Sequence, residues 1–152
     1  MPASRAPGHM LAALAEAQAA ATRGEVPVGA VIVGPDGRQL AAAGNRTREM
    51  ADPTAHAEIL ALREACRVLG SERLVGCDLY VTLEPCPMCA AAISFARIRR
   101  LYFGAYDPKG GAVENGARLF SQPTCHHAPE VLGGIEETQA GEILRGFFAS
   151  RR

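Results

Sequence analysis

Apolar positions along the chain recur with two periods. From His9 to about Thr22, the residues Met10, Leu11, Leu14, Ala17 and Ala21 return at steps of three and four, which predicts an amphipathic helix stopping at Gly24. Val26 to Val33 is a nearly unbroken apolar run and reads as a buried strand. Pro35, Asp36 and Gly37 supply a turn, with Gln39 to Ala43 as the hairpin partner. The polar loop "NRTREMAD" delivers the chain to Asp52, an N-cap by residue type, with Pro53 at the first helical position. Ile59, Leu62, Cys66 and Leu69 then predict one apolar helical stripe, ended by Gly70. "DLYVTL" at 78–83 is a strand running straight into a helix from Cys86 to about Ala96, whose Ala90, Ile93, Phe95 and Ala96 read as packing. "RRLYFGAY" is the next strand, and a last helix runs from about Glu137 to Ser150. Residues 112–135, with Cys125, His126 and His127, show no periodicity.

A strand, a helix and a strand in that order imply a parallel crossover added to the opening hairpin. The expected fold is therefore α/β, a three-layer α/β/α sandwich with a mixed central sheet. No repeat or linker interrupts it, so residues 1–152 read as one domain.

Composition narrows the class. At 48% hydrophobic and 21% charged residues the chain is ordinary for a globular protein, which argues against long disorder. Sixteen basic residues balance sixteen acidic ones, so only a local patch is left to attract a nucleic acid. Arg97, Arg99 and Arg100 fit such a patch and a solvated turn equally well. The alanine-rich start carries Glu16 and Gln18 inside the run, which fits neither a signal peptide nor a membrane span. Five cysteines, an odd number with one tight pair, suit a reducing compartment. The expectation is a soluble cytoplasmic protein with no membrane partner.

Cys86 and Cys89 lie one helical turn apart at a helix start, where the N-terminus favours the thiolate that zinc requires. His56, at the start of the other helix, supplies a third ligand and leaves one tetrahedral position open, the catalytic arrangement. Glu58 is two residues on. Mid-helix it could not share a metal with His56, but at a helix end it can face a zinc-activated water as proton acceptor and donor. Alone, the C-x-x-C fits redox chemistry as well as metal binding. The upstream "HAE" favours zinc, as does the lack of an aromatic-Cys-Gly-Pro context. A closed zinc module is the competing reading, and it needs a fourth ligand such as Cys66, His126 or His127. "CHH" at 125–127 by itself reads as an exposed loop.

"HAE" at 56–58 followed by "PCPMC" at 85–89 resembles the zinc-dependent cytidine and deoxycytidylate deaminase superfamily. "EVPVGAV", "DPTAHAEI", "LYVTLEPC" and "DPKGG" extend that resemblance, over most of the chain, to the bacterial tRNA-specific adenosine deaminases. The resemblance implies a cytidine-deaminase-like fold and hydrolytic conversion of adenosine to inosine at the wobble position of tRNA anticodons. It implies one Zn2+ per subunit on His56, Cys86 and Cys89, with Glu58 as the proton shuttle. Substrate contacts carried over are Asn45, Val28, Ala57, Asp107 and Lys109, and the family is homodimeric. Phe147 and Phe148 with Arg151 and Arg152 resemble the family's aromatic and basic RNA-facing ending. The nearest alternative is a deaminase of a free base or nucleotide (guanine, cytosine or deoxycytidylate), which the neutral charge favours slightly.

Overall fold

Gly29–Val33 is buried at all five positions, as a strand covered on both faces must be. The computed structural model describes the backbone of residues 2–151 and the side chains of residues 8–151. Its elements are α1 (Pro2–Thr22), β1 (Gly29–Val33), β2 (Gln39–Gly44), α2 (Ala57–Leu69), β3 (Asp78–Leu83), α3 (Pro87–Phe95), β4 (Arg100–Ala105), β5 (Glu130–Leu132) and α4 (Glu137–Ala149), with a 3-10 turn at Leu119–Ser121. The sheet order is β2-β1-β3-β4-β5. β1 runs antiparallel to both β2 and β3, whereas β3, β4 and β5 are parallel, so the sheet is mixed.

Side chains alternate between the faces of a strand, and each face has its own core. Val31, Val33, Tyr80 and Tyr102 pack with Met10, Ala13 and Leu14 of α1 and Ala140 of α4. Ala30, Ile32, Leu79, Val81, Leu101 and Phe103 pack with Ala57, Ala61, Leu62 and Ala65 of α2 and Ala90 and Ile93 of α3. This is the expected three-layer arrangement. Alanines let α1 lie close on the hairpin: a Cβ added at Gly29 would stand 1.9 Å from the Ala13 carbonyl oxygen.

Several expectations shift in detail. The first strand starts at Gly29, because Val28 donates to the Val26 carbonyl at 2.9 Å and bends the chain away from the sheet. Asp52 does not cap a helix. Its Oδ1 accepts from the Thr54 amide at 2.8 Å and the Thr54 hydroxyl at 2.7 Å, a local turn that postpones the helix to Ala57 and makes His56 its N-cap. The buried stripe of α2 is Ala57, Ala61, Leu62 and Ala65, since small residues fit the close approach to the sheet. Leu69 is exposed, and Ile59 and Cys66 border an open apolar groove. Phe95, read as packing, is 65% exposed at the same groove. β5 lies in the stretch without periodicity and adds only three residues, tied by the Arg100–Glu130 ion pair at 2.9 Å. Among the described residues no helix is long and apolar enough to cross a membrane.

Candidate active site

The carboxyl ends of β3 and β4, the carboxyl end of β2 and the amino end of β1 all lie at one edge of the sheet, as the strand directions require. Ligands of open α/β sheets bind at such an edge. A cavity of about 270 Å3 opens there, lined by Val26, Val28, Asn45, Thr47, His56, Ala57, Glu58, Leu83, Glu84, Cys86, Asp107 and Gly110.

His56 and Cys86 are the N-caps of α2 and α3, and neither side chain caps its helix, so both are free to point elsewhere. They point at each other. His56 Nδ1 lies 3.6 Å from Cys86 Sγ and 3.5 Å from Cys89 Sγ. A tetrahedral zinc with Zn–S of about 2.3 Å and Zn–N of about 2.0–2.1 Å needs N···S edges of roughly 3.6 Å. The donor set therefore fits one Zn2+ in both chemistry and spacing. Among the described residues no other His, Cys, Asp or Glu joins the three. Cys66, His126 and His127 are absent from the cluster, which removes the closed zinc module. His127 spends its Nε2 on the Ile98 carbonyl at 2.7 Å, and Cys125 contacts Ser94 and the His127 carbonyl.

Hydrogen bonding from Cys89, outweighing burial, and from His56 pulls the Cys86 thiol down to about 4. The same Cys86–Cys89 contact, with burial, pushes Cys89 up, and hydrogen bonding to Cys86 raises His56. The set thus carries a thiolate, the charge a divalent cation requires. Glu58, on the first turn of α2, is 4% exposed, and burial pushes its carboxyl up to about 7. A carboxyl in that range exchanges protons near neutral pH, as general acid–base work requires.

Of the residues carried over as substrate contacts, Val28, Asn45, Ala57 and Asp107 line the cavity. Lys109 is exposed beside Gly110 and does not form the wall. Asn45 is 6% exposed. Its amide donates to the Val28 carbonyl at 3.1 Å and its carbonyl accepts from Arg23 at 3.2 Å, but its side-chain Oδ1 is buried without a protein partner. Such an orphaned acceptor facing a cavity is a reason to look for a ligand donor.

Two glutamates escaped the sequence reading. Glu25, 1% exposed, accepts the amides of Arg48 and Glu49 at 3.1 and 2.8 Å and so holds the loop after Asn45. Glu84, 2% exposed, holds the loop after β4; although burial acts to raise its pKa, hydrogen bonds from the Asp107 amide, Asn115 and Glu114 outweigh it and hold the carboxyl low. The only sequence signal was a charge set among apolar neighbours in "GEVPVG" and "VTLEPC".

The arginines leading into β4 each have a partner within the fold. Arg99 pairs with both oxygens of Asp78 at 3.0 and 2.8 Å, Arg100 pairs with Glu130, and Arg97 donates to the Ser94 carbonyl. At the C-terminus Phe147 is buried, Phe148 is exposed, and the Arg151 guanidinium lies 4.2 Å over the Phe147 ring. Arg152 lies outside the described residues.

Residues 4–105 match the family described as the cytidine and deoxycytidylate deaminase zinc-binding region. The chain is 68% identical over 140 residues to the tRNA-specific adenosine deaminase of Agrobacterium fabrum, covering 92% of this chain and 91% of that protein. A solved structure from a study of A-to-I editing by tRNA:A34 deaminases is similar with a TM-score of 0.88 at 67% identity, over 90% of this chain and 99% of that one. The guanine deaminase of Bacillus subtilis is more distant, with a TM-score of 0.64 at 34% identity, over 95% of this chain and 92% of that one. Taken with the His/Cys/Cys cluster and the mixed sheet, these similarities show that the chain belongs to the zinc-binding cytidine and deoxycytidylate deaminase family, among its tRNA-specific adenosine deaminases.

Proposed function

We propose that this protein converts adenosine to inosine at the wobble position of tRNA anticodons by hydrolysis. The observation that carries the reading is a buried glutamate with near-neutral pKa beside a three-donor zinc cluster, within a cavity whose wall holds an unpaired acceptor. The similarity to tRNA-specific adenosine deaminases supports RNA as the substrate over a free base.

His56, Cys86 and Cys89 hold Zn2+, which when bound supplies the Lewis-acid polarisation that makes water nucleophilic near neutral pH. Glu58 takes one proton from the attacking water and delivers it to the ring nitrogen as the C6–O bond forms; it then takes the second proton from the new C6 hydroxyl and passes it to the amine, so that the C6–N bond breaks, ammonia leaves and the oxygen becomes the inosine carbonyl. Asn45 Oδ1 accepts a hydrogen bond from the nucleoside, Val28 packs against the base, and Ala57 offers its backbone at the cavity wall. Asp107 faces the ribose side, and exposed Lys109 contacts a phosphate. A duplex would hide the reactive carbon, so an unpaired loop nucleotide turned out of its stack is the form the cavity accepts.

The whole chain acts as one deaminase domain in the cytoplasm, which is supported by free cysteines throughout the described residues. Two copies pair as a homodimer. The open apolar groove of Ile59, Leu62, Cys66, Ala92 and exposed Phe95 supports that pairing, because a second copy would remove it from water.

The deciding assay is inosine formation by zinc-loaded protein on an anticodon stem-loop with adenosine at the wobble position. Glu58→Ala serves as control, and free guanine and cytosine are assayed alongside. Inosine lost in the control supports the proposal; ammonia from a free base with no inosine keeps the zinc chemistry and overturns the tRNA assignment.

A further inference from the structure

Glu84 has no part in the chemistry above, yet it is among the most fully engaged polar groups of the fold. Its Oε1 accepts from the Asp107 amide at 3.0 Å and from Asn115 Nδ2 at 2.7 Å. Its Oε2 accepts from the amides of Val113, Glu114 and Asn115 at 3.1, 2.8 and 3.0 Å. Gly111 packs against it so closely that a Cβ there would stand 2.5 Å from the Glu84 carboxyl carbon and 2.6 Å from the Asp107 carbonyl oxygen. One residue on, the Ala112 amide donates to the Pro85 carbonyl at 2.9 Å.

The segment from Asp107 to Asn115 contains no helix or strand. It has no ladder to fix its shape, so successive amides converge instead on one buried carboxylate, the kind of concave donor array that binds anions. The same segment supplies Asp107 and Gly110 to the cavity wall. Asp107 Oδ1 folds back onto its own turn, accepting from the Lys109 and Gly110 amides at 3.2 and 3.0 Å, so the wall's shape depends on where the Asp107 backbone is held.

We propose that Glu84 is a positioning residue for substrate: although it borders the cavity it is 2% exposed and both its oxygens are taken by the loop, so it acts by holding residues 107–115 in the shape that presents Asp107 and Gly110 to the cavity and thereby governs how the substrate seats. The identity of that substrate rests on the tRNA reading above; the positioning role does not. Glu84 lies two residues before Cys86, so an alternative is that it merely supports the zinc-bearing helix. The two roles differ in what fails.

Glu84→Gln distinguishes them at the level of single atoms. With its carbonyl oxygen placed at Oε2, glutamine keeps the three amides of Val113, Glu114 and Asn115. The Asn115 side-chain amide can turn over to accept from the new NH2 group. The Asp107 amide cannot, and it is left facing another donor. In the free enzyme the loop shifts to solvate that stranded donor, and restoring its shape around substrate costs at most the penalty of one buried donor, so KM for the anticodon stem-loop should rise by up to roughly 150-fold. kcat and zinc stoichiometry should stay at the wild-type level, and amide hydrogen exchange should quicken at residues 107–110 and not in α3. Asn115→Ala, which removes a single side-chain donor, should shift KM in the same direction by less. Unchanged KM, or exchange unchanged in the loop, overturns the proposal. So does a fall in kcat with loss of zinc, which would assign Glu84 to the metal site. If wild-type protein forms no inosine but deaminates guanine, the tRNA reading fails, and the exchange comparison still decides the role of Glu84.

Discussion

Replacing Asn45 by leucine should weaken catalysis without weakening the fold. The backbone of Asn45 is anchored by main-chain groups, donating to Val28 and accepting from Arg23, and neither bond involves the side chain. The side-chain oxygen is buried at the cavity with no protein partner. An acceptor in that condition costs about 1–3 kcal/mol, which a substrate donor recovers on binding. Leucine keeps similar bulk and removes the oxygen, so kcat/KM on the stem-loop should fall by the factor equivalent to about 1–3 kcal/mol, roughly 5- to 150-fold. Stability should hold or rise, because the desolvated oxygen is gone, and at about 2–4 °C per kcal/mol for a chain of this size the gain would be a few degrees in Tm. Initial rates below saturation and thermal scans of the zinc-loaded variant give both numbers. A Tm lowered by several degrees with kcat/KM unchanged would refute the reasoning, since the oxygen would then be serving the fold.

Other consequences can be checked the same way. Glu58→Gln should retain zinc at wild-type stoichiometry and lose about 10²- to 10⁴-fold in turnover, the usual contribution of a positioned acid–base group. In chelator-treated protein its effect on stability has a definite sign. The folded pKa of about 7 lies above the unfolded value of 4.5, so the native state binds the extra proton. Stability contributed by Glu58 is then present below about 4.5 and is lost as pH rises toward about 7. Cys86, held down to about 4, contributes a slope of opposite sign in both proteins, so urea titrations across that window should show stability falling more steeply, or rising less, with pH in the wild type than in Glu58→Gln; identical slopes would contradict the assignment. Chelation should itself lower Tm, because zinc at about 100 times its Kd adds about 2.7 kcal/mol of stability; an unaltered Tm would mean that the cluster is not a metal site. Gly29→Ala should destabilise by about 3 kcal/mol or more, as overpacking against α1 backbone offers no flexible atom to yield, and a wild-type Tm would disprove that close approach.

Much of this protein was legible from its residues alone. Helix and strand periods are local, so the end of the opening helix, the hairpin and the two strands flanking the Cys86 helix fall close to their predicted places, whereas the opening helix starts at Pro2, seven residues before the periodic stretch that began at His9. The residues "HAE" and "PCPMC" likewise pointed to zinc, and the fold brings the donors of His56, Cys86 and Cys89 to one place, with His56 Nδ1 3.6 and 3.5 Å from the two sulfurs. Tertiary structure decided what depends on distant partners. Asp52 looked like a helix cap until the Thr54 turn moved the helix start onto His56. Arg99 looked as much like an RNA contact as a turn residue until Asp78 met it from the neighbouring strand. Glu58 and Glu84 are the clearest case, two buried glutamates preceded by apolar residues. Four backbone amides and an asparagine side chain, 23 to 31 positions along the chain, converge on Glu84 and keep it ionised, so it organises a loop. Burial prevails at Glu58 and its carboxyl rises to about 7. A carboxylate's chemistry is set by the donors folded around it, and those come from parts of the chain that no local pattern brings together.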